Sequence, residues 1–474
     1  MRFRFAVSWL PFAAMAVTLA HGPAARAAAD ANPAAAPVKS APAPASPEEE
    51  FNSDTEGSDL ARKVGEQLGL EFVGYMRTGA YYANDGLPKG HYGLGELGYN
   101  RLGNEGDTYL EFGIGKKWDV SGTKVGVYWM PYLYNAQSVN ANGTKQIYAD
   151  IKGLGFAPDA SFWGGQRYHR IQDVHIIDDW LMEDGDNFGA GVDGIKLGSL
   201  GTLNIAAYTE GNTDDSTSTS NANRLNFQWR DIPLGAGGKL NLTAGFVHGD
   251  YGDKSSGTAL GALYNQKLGE VATNSLFVQG SSGHADLRGK FYALNGQKTS
   301  VAPGSAFICT TTANPDGSCP TPNLALNPNP VTVTSTTYNP GARQLRVVDA
   351  LNWQNGRFGG QAMIGYQTLR PSDTDLATKN FGIGGRVSYG VAPHVKLYAD
   401  MNYATLKTDG SAMQRLHKET LGVALAPNTK FWTRPELRLY VSHVAGNDAV
   451  RAAGTFNGRS SATLAGLQIE AWWD

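Results

Sequence analysis

The chain has 474 residues, 41% of them hydrophobic and 18% charged, with a formal net charge of −3 and a mean hydropathy of −0.31. This mildly acidic balance offers no basic surface for nucleic acid and excludes it as a partner. Beyond the N-terminus no run of about 18 uninterrupted apolar residues occurs, which excludes a helical membrane protein, whereas 59 glycines, 21 tyrosines and 10 tryptophans suit a barrel with tight turns and aromatic girdles.

Residues 1–27 read as a secretory signal peptide: Arg2 and Arg4 precede an apolar run from Phe5 to Leu19, and Ala25-Arg26-Ala27 supplies a small-residue cleavage site. Its loss removes three arginines and no acids, taking the net charge from −3 to −6. Residues 28–57 form an Ala/Pro-rich linker that cannot bury a core. Over 58–70, Leu60, Val64 and Leu68 fall at i, i+4 and i+8, the spacing of a short amphipathic helix. It serves either as a periplasmic oligomerisation extension or as a plain connector.

From Glu71 to Asp474 the chain reads as one all-β domain, a transmembrane antiparallel β-barrel. Asp107, Tyr109 and Glu111 alternate with Thr108, Leu110, Phe112 and Ile114, and at the other end Gln468, Glu470 and Trp472 alternate with Leu467, Ile469, Ala471 and Trp473. One face of each strand is wet and the other oily. Long polar segments recur near 82–105, 136–143, 170–187, 211–223, 249–265, 295–341, 369–378, 406–413 and 445–459. Short turns fall near Val120–Gly122, Ala157–Asp159, Ser199–Gly201, Gly235–Gly237, Ser281–Gly283, Asn355-Gly356, Ala392-Pro393 and Ala426–Asn428. Nine long loops alternating with eight short turns make about 18 strands, with long loops outside the cell and short turns in the periplasm.

Cys309 and Cys319, the only two cysteines, fall in the largest loop, and in an exported chain they are expected to form a short disulfide. Other constellations carry little chemistry. His169 and His175 with Asp173 and Asp178 lack a partner set for metal or acid–base work. Glu183-Asp184-Gly185-Asp186 lacks the spaced ligands of a calcium loop, and Gly382–Gly385 has no helix after it to cradle phosphate. No cofactor and no enzymatic step are expected. Aromatics on the wet parity are more informative: tyrosine or tryptophan facing water among polar residues suits sugar rings, whose C–H faces lie on aromatic faces while their hydroxyls bond to charged groups. The alternative is that these rings pack beneath a loop folded into the lumen.

Gly74-Tyr75-x-Arg77-x-Gly79, Arg101–Glu105 followed by Thr108-Tyr109, Asp173-Val174-His175-x-Ile177-Asp178 and the terminal Trp472-Trp473, in this order, resemble the maltoporin family of sugar-specific outer-membrane porins. The resemblance implies a homotrimer of 18-stranded barrels in the outer-membrane bilayer that passes maltose- or maltodextrin-type oligosaccharides by facilitated diffusion. It further implies a line of aromatics comprising Tyr75, Tyr109, Trp472 and Phe381, the last standing where the family usually has tryptophan. Arg77, Arg101, Glu111, Asp173 and Asp178 would form the polar track, and Trp180 would narrow the channel. Ile171 stands where the family commonly has arginine, and Arg170, one place earlier, is on the opposite strand parity. The alternatives are a general or differently selective diffusion channel and a surface receptor or adhesive barrel built around 295–341.

Overall fold

The computed structural model describes residues 56–473 except 137–138, 211–221, 236, 249–255, 292–296, 301–306, 310–323, 327–332, 337–341 and 372–375. The signal peptide and nearly all of the linker lie outside the described residues, as does Cys319, and with it the expected disulfide. Helix α1 spans Glu56–Leu68, beginning two residues inside the segment read as linker.

Eighteen strands close into one antiparallel barrel. They are β1 (Glu71–Ala83), β2 (Thr108–Val120), β3 (Thr123–Ala136), β4 (Val139–Leu154), β5 (Ala157–Val174), β6 (Asp179–Lys196), β7 (Thr202–Glu210), β8 (Ala222–Leu234) and β9 (Gly238–His248). They continue with β10 (Ser256–Leu268), β11 (Ala272–Gly283), β12 (Ala342–Asn355), β13 (Phe358–Pro371), β14 (Thr378–Ala392), β15 (Val395–Thr408), β16 (Gln414–Leu425), β17 (Glu436–Gly446) and β18 (Ser461–Trp473). Closure joins β18 to β1, with Trp472 opposite Tyr75 and Glu470 opposite Arg77. Among the described residues the barrel itself has no open edge, so the backbone groups of its wall can be paired within it.

The alternation read from the sequence is the alternation of the wall. In β2, Tyr109, Glu111 and Gly113 are buried toward the interior, while Thr108, Leu110 and Phe112 take the other face. Outward apolar side chains such as Leu260, Met401, Leu421 and Leu439 are among the most exposed in the chain. That pattern suits a hydrocarbon solvent rather than water.

Four segments depart from the sequence reading. Ala136, residues 139–143 and much of 170–187 continue as strand, because β3, β4, β5 and β6 run past the expected wall height. Ser281–Gly283 is not a short turn but the far end of β11, paired with β10 and β12. The chain reverses instead at 269–271, where Gly269 adopts φ +66°, a conformation glycine takes without steric cost. The serines misled because small polar residues serve equally as turn formers and as lumen-facing strand positions. The last short turn is longer than expected, filling 426–435 between β16 and β17.

Among the described residues, the first and third long loops fold into the barrel. The first, 84–107, packs Leu87, Tyr92 and Leu94 against Leu416, Val444, Val450, Phe456 and Leu464 near the long-loop rim. The third is a β-hairpin, the ends of β5 and β6, which leaves the wall at a register shift between Arg167 and Tyr168. Its tip carries Val174, Ile176 and Ile177 across the lumen onto Leu263, Phe277, Val348 and Met363 of the far wall. There the Ile176 amide donates to Gln361 Oε1 at 2.9 Å. An apolar hairpin tip cannot stay in water at low cost, and this buried seat is what draws it inward.

Candidate functional site

Barrel closure assembles residues from opposite ends of the sequence. Tyr75 stands between Glu111 on one neighbouring strand and Trp472 on the other, and Arg77 stands between Tyr109 and Glu470. Five of the sequence-read residues thus share one patch of inner wall. The Tyr75 and Tyr109 rings lie 6.1 Å apart, with the Arg77 guanidinium 5.1 Å from the Tyr109 ring centre.

The folded-in loops complete the patch with charge. Arg77 forms a two-pronged pair with Asp107 at 2.6 and 3.0 Å and reaches Glu105 at 3.0 Å. Arg101 donates to Glu105 at 2.8 Å and to His175 Nδ1 at 2.8 Å, pairs with Glu470 at 3.1 Å and hydrogen-bonds the Tyr75 hydroxyl. Its own backbone amide donates to Ile176 O at 2.9 Å. One arginine therefore ties the first loop, the third-loop hairpin and the barrel wall together. Asp178, in a left-handed conformation at the hairpin tip, stands 3.8 Å from Arg101, and Asp173 stands 3.4 Å from His175.

Glu470 is the hub. It accepts from Tyr75 at 3.0 Å, from Arg434 Nε at 2.8 Å and from Arg438, in addition to Arg101. Four donors converge on a carboxylate that is 1% exposed. A buried charge is tolerated at that density of pairing and not otherwise. His175 faces this cluster with its pKa well below the ordinary imidazole value, first through burial and then through the adjacent Arg101 charge. It is therefore neutral and able to accept a hydrogen bond from Arg101. Burial raises the pKa of Glu105 against the downward pull of Arg101 and Arg77.

The rings differ in access. Tyr75 and Tyr109 are 1% and 0% exposed, packed beneath the inward loops, and Tyr109 spends its hydroxyl on Glu111. Trp472 is half-buried and holds the Arg434 guanidinium 4.0 Å from its ring centre. Trp180 is buried near the hairpin tip, opposite Asp173, with Arg170 5.3 Å from its ring centre. Phe381 requires a correction: Asn380 points inward and binds the first loop at Leu94 O, so Phe381 takes the outward parity, level with Tyr366 and Thr405. Arg170 and Ile171 are both buried. The backbone irregularity between Arg167 and Tyr168 breaks simple parity there, so Arg170 reaches the interior, 3.8 Å from the Tyr168 ring centre, despite the position of Ile171.

Two aromatics beside Trp472 escaped the sequence reading. The long turn 426–435 folds Phe431 and Trp432 into the lumen, with Trp432 6.5 Å from Trp472 and 5.3 Å from His175. The signal was present in Phe431-Trp432-Thr433-Arg434-Pro435, because a solvated turn has no use for two adjacent large rings. On the opposite wall a second ionic knot fixes the loops. Arg346 pairs with Asp179 at 2.8 Å and with Glu96 at 3.1 Å, and Arg288 joins the same Asp179.

The LamB porin family model matches residues 70–473. Among similar proteins, a maltoporin of Hahella chejuensis is 24% identical over 85% of this chain and 92% of its own length. A maltoporin of Vibrio cholerae is 24% identical over 86% and 96%, and Maltoporin 1 of Klebsiella pneumoniae 24% over 85% and 93%. Among solved structures, a loop-deleted OmpT of Vibrio cholerae aligns over 85% of this chain and 99% of its own, with a TM-score of 0.42 and 13% identity. The anion-selective porin of Comamonas acidovorans aligns over 85% and 99% at 0.41 and 11%.

Proposed function

The chain belongs to the LamB porin family of outer-membrane sugar porins, and from that membership we propose that it carries maltose- and maltodextrin-type oligosaccharides by facilitated diffusion through the lumen narrowed by the first and third loops. It is a channel rather than an enzyme. The observation that carries the substrate reading is the half-buried Trp472 ring, with Trp432 beside it and Arg434 over it, at the foot of a dense network of carboxylates and guanidiniums. A pyranose has an apolar face for such rings and hydroxyls for such an ionic rim. Weak repeated contacts of this kind admit a sugar and still release it.

In this reading Trp472 and Trp432 touch sugar directly. Tyr75, Tyr109, Arg77, Arg101 and Glu111 shape and stiffen the wall behind them. Asp173 and Asp178 present the charged tip of the hairpin, and Trp180 holds that hairpin at the constriction. The signal peptide delivers the mature chain to the outer membrane, where it works as a homotrimer. A general diffusion channel is the second reading, favoured by the burial of Tyr75 and Tyr109, which shortens the aromatic line. Swelling of liposomes carrying the purified protein separates the two. Maltose and maltotriose should enter faster than other neutral sugars of equal mass, whereas a general pore ranks sugars by size alone.

A further inference from the structure

We propose a second sugar-binding platform on the short-turn side of the constriction, formed by Tyr128 of β3, Tyr148 of β4 and Arg167 of β5, which takes one pyranose ring of the passing oligosaccharide. It rests on the sugar-channel reading and extends it along the wall from the Tyr75–Trp472 patch toward the short turns, where Gly113 and Gly115 continue the inward parity of Glu111.

Tyr128 and Tyr148 stand directly opposite one another in the wall, their ring centres 5.2 Å apart and tilted by 34°. Both face inward: the neighbouring Val127, Trp129, Ile147 and Ile151 are the exposed, outward residues of these strands. Tyr128 lies over two inward glycines of β2. A Cβ at Gly115 would come 3.2 Å from the ring edge, and one at Gly113 would strike the phenol oxygen. Those glycines leave room for the ring against the wall. Both tyrosines are half-buried, and among the described residues neither hydroxyl has a hydrogen-bond partner.

Charge borders the rings as sugar recognition requires. The Arg167 guanidinium lies 4.5 Å from the Tyr148 ring centre and pairs with Asp193 at 2.9 Å. Stacking of this kind leaves the N–H edge of a guanidinium available for hydroxyls. Asp150, two residues from Tyr148 on the same face, accepts from Ser161 at 2.8 Å. A carboxylate has about four acceptor sites, so capacity remains for sugar hydroxyls. Rings that only shielded glycine would need no such rim.

The test is side-resolved current noise in planar bilayers, with maltohexaose added to one side at a time, for wild type, Tyr128→Leu and Tyr128→Phe. Leucine keeps the glycines covered but removes the flat face, whereas phenylalanine keeps the face and loses only the hydroxyl. Loss of one stacking contact is expected to slow association from the short-turn side about fivefold in Tyr128→Leu, with association from the long-loop side unchanged and both rates near wild type in Tyr128→Phe. Equal rates from both sides in all three proteins would overturn the platform, and so would an equal fall from both sides in Tyr128→Leu, since that marks a general disturbance of the barrel. Absence of block in the wild type itself would refute the sugar-channel reading instead.

Discussion

Replacing Glu470 by glutamine removes one charge while keeping the side chain's shape. Its Oε1 faces Tyr75 and Arg101, and its Oε2 faces Arg434 and Arg438. An amide can accept at one end only, so its NH2 must confront two donors. Hydrogen bonds to charged groups contribute about 1.5 to 3 kcal/mol each, and breaking a buried ion pair costs about 3 to 5 kcal/mol. Loss of one side of the hub should therefore destabilise the seat of the first loop by about 3 to 5 kcal/mol, raising its open population about 150- to 4,000-fold. Hydrogen exchange at the Arg101 and Asp178 amides, bonded to Ile176 O and His175 O, reads this directly. Single-channel recordings should show flicker absent from the wild type. Unchanged exchange at both amides, with quiet channels, would refute the view that Glu470 anchors the inward loops.

Trp432→Ala and Trp472→Ala should each weaken sugar block of the current about fivefold, taking one sugar contact as about 1 kcal/mol, whereas Trp473→Ala, whose ring packs outward on Phe112, should alter assembly or stability but not block; the reverse ranking would mean that the register of β18 is inverted. His175, with its pKa held below that of the unfolded side chain, gives the loop contact a one-sided pH dependence. Stability is fully present above about pH 6.5 and is lost as the pH falls, because the unfolded chain binds a proton that the folded site refuses. Current noise should be flat from about pH 8 to 7 and grow toward about pH 5, and His175→Asn should abolish that growth. Exchanging Cys309 and Cys319 for serine should leave heat-resistant trimers and conductance intact, as measured by gel mobility and bilayer recording; failure to assemble would place the pair in the barrel rather than in a surface loop.

Strand parity was the most legible feature, because lipid outside and polar lumen inside impose the same period of two on every strand. Tyr75, Arg77, Tyr109, Glu111 and Trp472 could be placed on one face each without knowing the fold, and closure then brought them together. Parity failed where the backbone is irregular. Nothing in the order of letters marks the shift after Arg167 that turns Arg170 inward, and the resemblance puts Phe381 in the aromatic line against a parity that Asn380 satisfies. Accessibility was illegible too. Tyr75 and Tyr109 face the lumen, yet the loops that bury them come from 84–107 and from the hairpin of β5 and β6, whose inward fold depends on an apolar seat spread over four distant strands. Trp432 is illegible for another reason: it lies in a turn, and the sequence pattern marks turns as short and polar.

The most direct measurement is titration of wild-type channels in planar bilayers with maltose, maltotriose and maltohexaose while ion current is recorded. A sugar held between Trp472, Trp432 and the ionic rim must obstruct ions, so block should saturate, and the half-blocking concentration should fall as the sugar lengthens and engages more of the wall. A current that declines only in proportion to bulk solution conductivity, with no saturation for any of the three sugars, would contradict a binding channel.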